Sequence, residues 1–156
     1  MFGTDLAPDL QYGGAALIYS FVTPDGEPVA GRAWGLREIG VGPPTVRVII
    51  PGGQLRPELL GTGFAITGSN VLTLVSAQLK GRLVALDDYG DGDRPVFEQY
   101  REAFFLAVEE ADHIPWASLE RMVPVAFDVA IVEVSETYDQ TPGPSAGELI
   151  WTLAAS

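Results

Sequence analysis

The segment that most constrains the fold covers residues 59–86, LLGTGFAITGSNVLTLVSAQLKGRLVAL, which is the longest apolar and β-branched stretch of the chain. Its runs of Val, Leu, Thr and Phe are separated by residues that favour tight turns. Residues 62–67 and 71–79 flank the turn formers Gly68-Ser69-Asn70, a pattern typical of a hairpin. Lys80-Gly81 predicts a second reversal with a short third strand after it. The segment therefore predicts the central meander of a β-rich domain.

Glycine and proline punctuate the rest of the chain in the same way. They account for 18 and 12 of the 156 residues and stand between apolar runs rather than in one block. Thr23-Pro24-Asp25-Gly26 is a good turn, because Pro fixes φ and Gly tolerates positive φ. Further strands are predicted at residues 15–22, 28–36, 45–50, 125–134 and 148–155. We therefore expect a mainly β fold, an antiparallel sandwich or barrel of about seven or eight strands, with α+β as the second choice.

The apolar pattern changes at Pro95. Apolar residues then recur at steps of three and four, which predicts one amphipathic helix over residues 95–108 with Asp93 at its start. An alternative ends the helix early and makes residues 104–108 a strand. Residues 115–122 are predicted to contain a single helical turn.

The length of the chain favours one domain over residues 1–156, large enough to bury a core without disulfides or metals. Residues 1–14 show little periodicity and are interpreted as an N-terminal arm. Residues 135–147 are polar and contain Pro142-Gly143-Pro144, so they are predicted to form an exposed loop.

Composition excludes several classes of site. The chain has no Cys and only one His, His113, so thiolate sites and sites with two imidazoles are excluded. It has 21 acidic and 9 basic residues, a net charge of −12, which argues against direct binding to nucleic acid. No apolar run approaches the roughly 20 residues of a spanning helix, and the start lacks a signal-peptide pattern. We therefore expect no membrane partner and a location in a virion or in the cytoplasm.

The acidic segment 87–93 gives the chain its best candidate metal ligands. Asp87, Asp91, Asp93 and Glu98 approach the spacing of an EF-hand calcium loop, but Tyr89 stands where an oxygen ligand is required. The alternative is a solvated turn in which Asp93 caps a helix. The prediction is therefore no metal and no other cofactor, with these four residues as weak calcium candidates.

Two segments carry a resemblance to a known family. Gly61-Thr62-Gly63-Phe64-Ala65-Ile66, followed by Val71-Leu72-Thr73, resembles the strands that lead to the catalytic histidine of trypsin-like serine proteases. Residues 127–132 resemble the segment that carries the catalytic aspartate of that family, here Asp128. The chain reads Leu74-Val75-Ser76-Ala77 where the family has its histidine, so the resemblance implies an inactive half-barrel. Buried in a strand, Asp128 would need a partner such as Arg47, Arg82 or Arg121.

The function predicted from these features is structural. Charged residues make up 19% of the chain against about 25% in ordinary soluble proteins, and the mean hydropathy is +0.18. With no catalytic set, this favours a non-enzymatic subunit that associates with itself and with other subunits of an assembly. The type it most resembles is a phage virion component, in the tail, the head–tail connector or the capsid decoration. Trp34 and Trp151 are the predicted interface anchors. The alternatives are the inactive trypsin-like half-barrel and a small-ligand-binding β-barrel.

Overall fold

A computed structural model describes residues 10, 13–40 and 42–154. In this part of the chain eight strands form one antiparallel sheet. They are β1 Ala15–Val22, β2 Pro28–Arg32, β3 Gly35–Ile39, β4 Thr45–Pro51, β5 Gly63–Asn70, β6 Ser76–Asp88, β7 Phe127–Asp139 and β8 Leu149–Thr152. The helices are α1 Arg94–Asp112 and the single turn α2 Trp116–Leu119, with 3-10 turns at Pro57–Leu59 and Glu120–Met122. The predicted mainly β fold with one long amphipathic helix is confirmed.

The strand order is β2-β1-β5-β6-β7-β4-β3, and β8 lies beside β7. β2 and β3 therefore lie at opposite ends of this order although they follow each other in the chain. Between them, the Ala33 N–H donates to the Leu17 carbonyl at 2.9 Å and the Trp34 N–H donates to the Ile49 carbonyl at 2.8 Å. The sheet thus curls into a sandwich-like form in which the segment between β2 and β3 joins its two edges.

The concave face of the sheet holds the core, and α1 covers one side of it. In β1, alternate residues from Ala15 to Phe21 are buried, as period-two patterning requires. The buried Tyr100 of α1 donates its hydroxyl to the Ala15 carbonyl at 2.7 Å and accepts from the Leu17 N–H at 3.3 Å. Burial raises the pKa of Tyr100, so its hydroxyl stays protonated. The tyrosine therefore ties the helix to backbone groups at the start of β1.

The central hairpin exists, but its turn was predicted in the wrong place. β5 continues through Gly68 to Asn70, and residues 71–75 make the reversal. The predicted reversal at Lys80-Gly81 is also wrong, because β6 runs through it as one strand of 13 residues. Gly81 lies where the pairing with β7 shifts register, and a Cβ there would lie 1.9 Å from the Glu133 carbonyl oxygen. Glycine is needed at this position for close approach of two strands, not for a turn.

Other predicted boundaries need smaller corrections. α1 extends to Asp112, so the alternative of a strand over residues 104–108 is wrong. β7 continues to Asp139, so only the later part of segment 135–147 is a loop. Of the predicted arm, residues 1–9 and 11–12 lie outside the described residues, while Leu10 is buried and its side chain fills the space beside Gly68. The single-domain organisation stays a prediction. Within the described residues, no helix combines the length and apolar character needed to cross a membrane.

Candidate ligand-binding groove

A row of small side chains crosses the outer face of the sheet. Ser20 of β1 pairs with Ala30 of β2 on one side and with Ala65 of β5 on the other, and Ala65 pairs with Lys80 of β6. Directly paired residues in an antiparallel sheet share a face. Since Tyr19 and Phe21 point into the core, the row lies on the opposite face. Three adjacent strands, β2, β1 and β5, therefore form along this row a surface with no large side chains, which we call the floor. It ends at Lys80 on the fourth strand, β6.

A groove of about 600 Å³ lies over this row. Strands lie about 4.8 Å apart, so the floor from β2 to β5 spans about 10 Å. The lining is mostly apolar: Ser20, Phe21, Val22, Pro28, Val29, Ala30, Gly63, Phe64, Ala65, Lys80 and Gly81. The groove therefore has the width and the lining that suit a flat, largely apolar molecule.

Lys80 is the only lysine of the chain, and its ammonium group lies over the aromatic ring of Tyr138. Its Nζ lies 4.4 Å from the centroid of the Tyr138 ring. The hydroxyl of Tyr138 donates to Glu136 Oε2 at 2.9 Å, and this hydrogen bond raises the pKa of Tyr138. Among the described residues, no carboxylate forms an ion pair with Lys80. Glu136 is paired directly opposite Lys80, but its Oε2 accepts the Tyr138 hydroxyl and it forms no ion pair with the lysine. The ammonium group can therefore receive an anion without first breaking a salt bridge.

The strongest ion pair in the described residues lies elsewhere, at Arg47 of β4. Arg47 Nε donates to Asp93 Oδ1 at 2.6 Å and Nη2 donates to Asp93 Oδ2 at 2.8 Å, while Nη1 binds Asp87. The Asp93 side chain is 3% exposed and also accepts from the Gly90 N–H at 2.9 Å. Burial alone would raise the pKa of Asp93, but the hydrogen bonds from Arg47 and Gly90 outweigh it and lower the pKa. This bidentate pair fastens β4 to the start of α1.

The four calcium candidates do not form a metal site. Asp87 and Asp93 bind Arg47, whereas Asp91 and Glu98 are exposed. Over residues 10, 13–40 and 42–154, no three Asp, Glu or His side chains are placed to hold a metal ion. The acidic segment follows a strand rather than the helix of an EF-hand. Asp93 does precede α1 as predicted, but its side chain forms no capping hydrogen bond because Arg47 and Gly90 use its oxygens.

The two predicted interface tryptophans have different positions. Trp34 is 1% exposed and packs edge-on against Phe97 at 6.3 Å between ring centroids, so it is a core residue and cannot anchor an interface on this surface. Its burial follows from its position where the segment between β2 and β3 passes over the core. Trp151 is half-buried in β8, opposite Thr137, and its interface role stays a prediction.

The protease-like alternative is wrong. Ser76 begins β6, whereas Asp128 pairs with Asp88 at the other end of the same strand. At about 3.3 Å per residue, the two positions are separated by about 40 Å along the strand. Asp128 Oδ2 accepts the Gly53 N–H at 2.8 Å, so its partner is a backbone amide and not one of the arginines considered above. Asp128 therefore fixes the loop after β4.

The fold of the chain is similar to that of solved protein structures. No family profile and no curated protein sequence matches the chain. Among solved structures, the chain is similar to a histidine-to-alanine variant of HupZ from Group A Streptococcus, with 18% identity, a TM-score of 0.52, and coverage of 89% of this chain and 99% of that chain.

Two further solved structures match more loosely. One is an F420 reductase, with 12% identity, a TM-score of 0.45, and coverage of 83% of this chain and 93% of that chain. The other is a pyridoxamine 5′-phosphate oxidase-related, FMN-binding protein from Nostoc punctiforme, with 15% identity, a TM-score of 0.43, and coverage of 85% of this chain and 77% of that chain.

These findings correct the predicted function. The prediction of a phage virion component is wrong, because the chain shares the fold of HupZ over nearly its whole length. The location in a virion or in the cytoplasm stays a prediction. The small-ligand alternative is the one that the groove supports. Sequence reasoning missed Ser20, Ala30, Ala65 and Lys80, because they come together only through the register of four strands. The one local signal was Lys80 itself, the single lysine of the chain, which follows the uncharged segment 59–79.

Proposed function

We propose that the protein binds a planar, mostly apolar ligand with an anionic group, in the groove over Ala30, Ser20, Ala65 and Lys80. The observation that carries this proposal is the row of small side chains that ends at Lys80. A flat ring needs a floor without protruding side chains, and the first three members of the row supply one. An anionic group needs a donor whose charge is not already neutralised, which Lys80 supplies.

Flavin mononucleotide meets both requirements. Its three fused rings are planar and match a floor of about 10 Å, and its phosphate carries the anionic charge. When bound, a flavin supplies redox chemistry of its own; the residues of this chain would support the ring on the small-residue floor and hold the phosphate at Lys80 Nζ. The expectations that the chain is not an enzyme and that it associates with itself stay predictions, and the proposal concerns binding alone.

The test compares flavin mononucleotide with riboflavin, which has the same ring system without the phosphate. Binding is followed by quenching of flavin fluorescence. Lys80→Gln should weaken binding of flavin mononucleotide about 10- to 100-fold, because a charge-assisted hydrogen bond is lost, and should leave riboflavin binding unchanged. Ala65→Leu places a bulky side chain on the floor and should weaken both ligands. Ala111→Leu, at an exposed position of α1, is the matched control.

Two results would overturn the proposal. One is the absence of saturable binding of either flavin to the wild-type chain at millimolar concentration. The other is binding that Ala65→Leu and Ala111→Leu affect equally, which would place the ligand away from the row. If riboflavin and flavin mononucleotide lose affinity together in Lys80→Gln, the floor is supported but the anionic group is not held by Lys80.

A further inference from the structure

The hairpin tip, residues 70–76 between β5 and β6, exposes two leucines. Leu72 and Leu74 are 49% and 56% exposed. Leu74 also has φ of 64°, in the left-handed region that favours glycine and asparagine. An exposed leucine in this conformation strains the backbone and adds little to the core. The side chain is therefore available for a contact outside the chain.

The backbone N–H groups of the tip are hydrogen-bonded within the chain. Each N–H group from Leu72 to Ser76 has an acceptor within the chain: Leu72 and Thr73 donate to Asn70 Oδ1, Leu74 donates to the Asn70 carbonyl, Val75 donates to Thr73 Oγ1, and Ser76 donates to Thr141 Oγ1. An N–H group moved into an apolar medium without a partner is costly. This tip can enter such a medium without leaving an amide of this run unpaired.

The tip is also free of charge. No Asp, Glu, Lys, Arg or His occurs between Gly61 and Leu79, although the chain has a net charge of −12. At the base of the tip, Asp139 accepts hydrogen bonds from the Thr141 N–H at 2.8 Å and from Ser145 Oγ at 3.2 Å. The apex is therefore neutral, and the carboxylate at its base, Asp139, is hydrogen-bonded within the chain.

These features favour a lipid surface over a second copy of the chain. A stable protein interface buries about 800 Å² on each partner, far more than two leucines on a convex tip can supply. Two copies, each with a net charge of −12, also repel each other. A lipid headgroup layer can surround a convex tip and offers an apolar phase directly below it.

We propose that the hairpin tip inserts Leu72 and Leu74 into the headgroup region of a zwitterionic lipid surface, as a weak peripheral contact. This departs from the expectation of no membrane partner, which was based on the lack of a spanning segment. Because the chain is acidic, anionic lipid weakens the contact, and added salt restores it by screening the repulsion. Proteins that bind membranes through basic patches show the opposite response to salt.

The experiment is flotation of the full chain with phosphatidylcholine vesicles, and with vesicles that contain one third phosphatidylglycerol, at low and at physiological salt. The wild type should float with phosphatidylcholine, and float less with the anionic vesicles at low salt. The double variant Leu72→Ala with Leu74→Ala should lower the partition coefficient at least about tenfold. Leu106→Ala, which removes a leucine that is 52% exposed on α1, should have no effect.

Three results would overturn the proposal: no flotation of the wild type at millimolar lipid, equal loss in the double variant and in Leu106→Ala, or stronger binding to anionic vesicles at low salt. Light scattering without lipid gives a further decisive reading. A concentration-dependent dimer that the double variant abolishes would show that the tip contacts a second copy, contrary to the proposal. The Leu74→Asn variant provides a folded reference, because asparagine tolerates the left-handed conformation.

Discussion

The two ends of β6 are stabilised in opposite ways. At Asp87 and Asp88 the strand ends in an acidic region, where Asp88 lies directly opposite Asp128 and Arg47 binds Asp87 and the buried Asp93. At the other end, β6 begins in the hairpin tip, where neutral groups provide the hydrogen bonds. Like charges placed opposite each other in a sheet are destabilising. The acidic end therefore depends mainly on Arg47, with Arg37 at 3.7 Å from Asp93, whereas the tip depends on the side chain of Asn70.

The stability of the acidic end of β6 should therefore depend on pH, whereas the stability of the hairpin tip should not. The contacts of Arg47 require ionised carboxylates. The contacts of Asn70 involve no titratable group. Changes made at the two ends should therefore differ in size and in pH dependence.

The largest effect is expected from Arg47→Met. It removes the two hydrogen bonds from the guanidinium to the buried Asp93 carboxylate and leaves, among the described residues, only the Arg37 cation, whose Nη2 lies 3.7 Å from Asp93 Oδ1. Breaking a buried ion pair from one side costs about 3–5 kcal/mol. The free energy of unfolding in urea measures the loss. Arg56→Met, at an exposed arginine with no ion pair among the described residues, is the control and should cost less than about 0.5 kcal/mol. Similar losses in the two variants would contradict the importance of the buried pair.

The pH dependence of the same pair is the next test. The folded-state pKa of Asp93 is lowered, so its stabilising contribution is present above the unfolded value of about 4 and is lost as the pH falls through the lower folded value. In Arg47→Met the main hydrogen-bond donor is gone while burial remains, so the pKa of Asp93 should rise. Protonation of Asp93 at low pH then removes the cost of its buried charge. The difference in unfolding free energy between wild type and variant should therefore shrink from pH 7 to pH 3. A constant difference would show that Asp93 is not the responsible group.

A smaller effect is expected at the other end of β6. Asn70→Ala removes the acceptor for the Leu72 and Thr73 amides and should lower the free energy of unfolding by about 1–2 kcal/mol. Asn70→Asp keeps an acceptor oxygen and should retain most of the stability. Urea unfolding at pH 7 and pH 5 measures both variants. If Asn70→Asp loses as much as Asn70→Ala, the side-chain acceptor is not what holds the tip.

The smallest effect has the opposite sign. Leu74→Gly relieves the left-handed strain of about 1–2 kcal/mol but loses some stability through the greater freedom of glycine in the unfolded chain. The net result should be a gain of about 0.5–1 kcal/mol, seen as a higher urea midpoint with an unchanged slope. Leu72→Gly should give no such gain, because Leu72 has an ordinary negative φ. Destabilisation by Leu74→Gly would mean that the leucine side chain has a structural role within the chain.

The sequence predicted those elements whose signals are local. β1 was predicted to the residue, and the Thr23 to Gly26 turn forms with Gly26 at φ of 93°. The period of α1 was also correct, because a helix that packs on a sheet needs apolar residues on one side only. In these cases the structure is determined by residues close together in the sequence, so the sequence pattern was sufficient to predict it.

Predictions failed where glycine serves a distant contact. Gly68 makes room for Leu10 and Gly81 makes room for the backbone of Glu133, and both were interpreted as turn residues. A glycine required for close packing cannot be distinguished, from neighbouring residues alone, from one required for positive φ. The first turn was therefore placed a few residues too early, and the second was predicted where β6 continues without a turn.

The groove and the function were beyond sequence analysis for a related reason. Ala30, Ser20, Ala65 and Lys80 become neighbours only when four strands adopt one register, and a one-residue slip would turn any of them to the other face. The low charge of the chain was attributed to contacts between subunits. Composition cannot distinguish apolar residues that face the core from those that face a partner.

The segment between β2 and β3 also has a kinetic consequence. Ala33 and Trp34 make their backbone contacts with β1 and β4, and these strands belong to opposite parts of the sheet order. Each contact extends a hairpin between strands that follow each other in the chain, whereas β4 pairs with the distant β7. Pairings between distant parts of a chain slow folding. We therefore expect the junction to form early, together with its two hairpins, and the pairing of β4 with β7 to be the slower step.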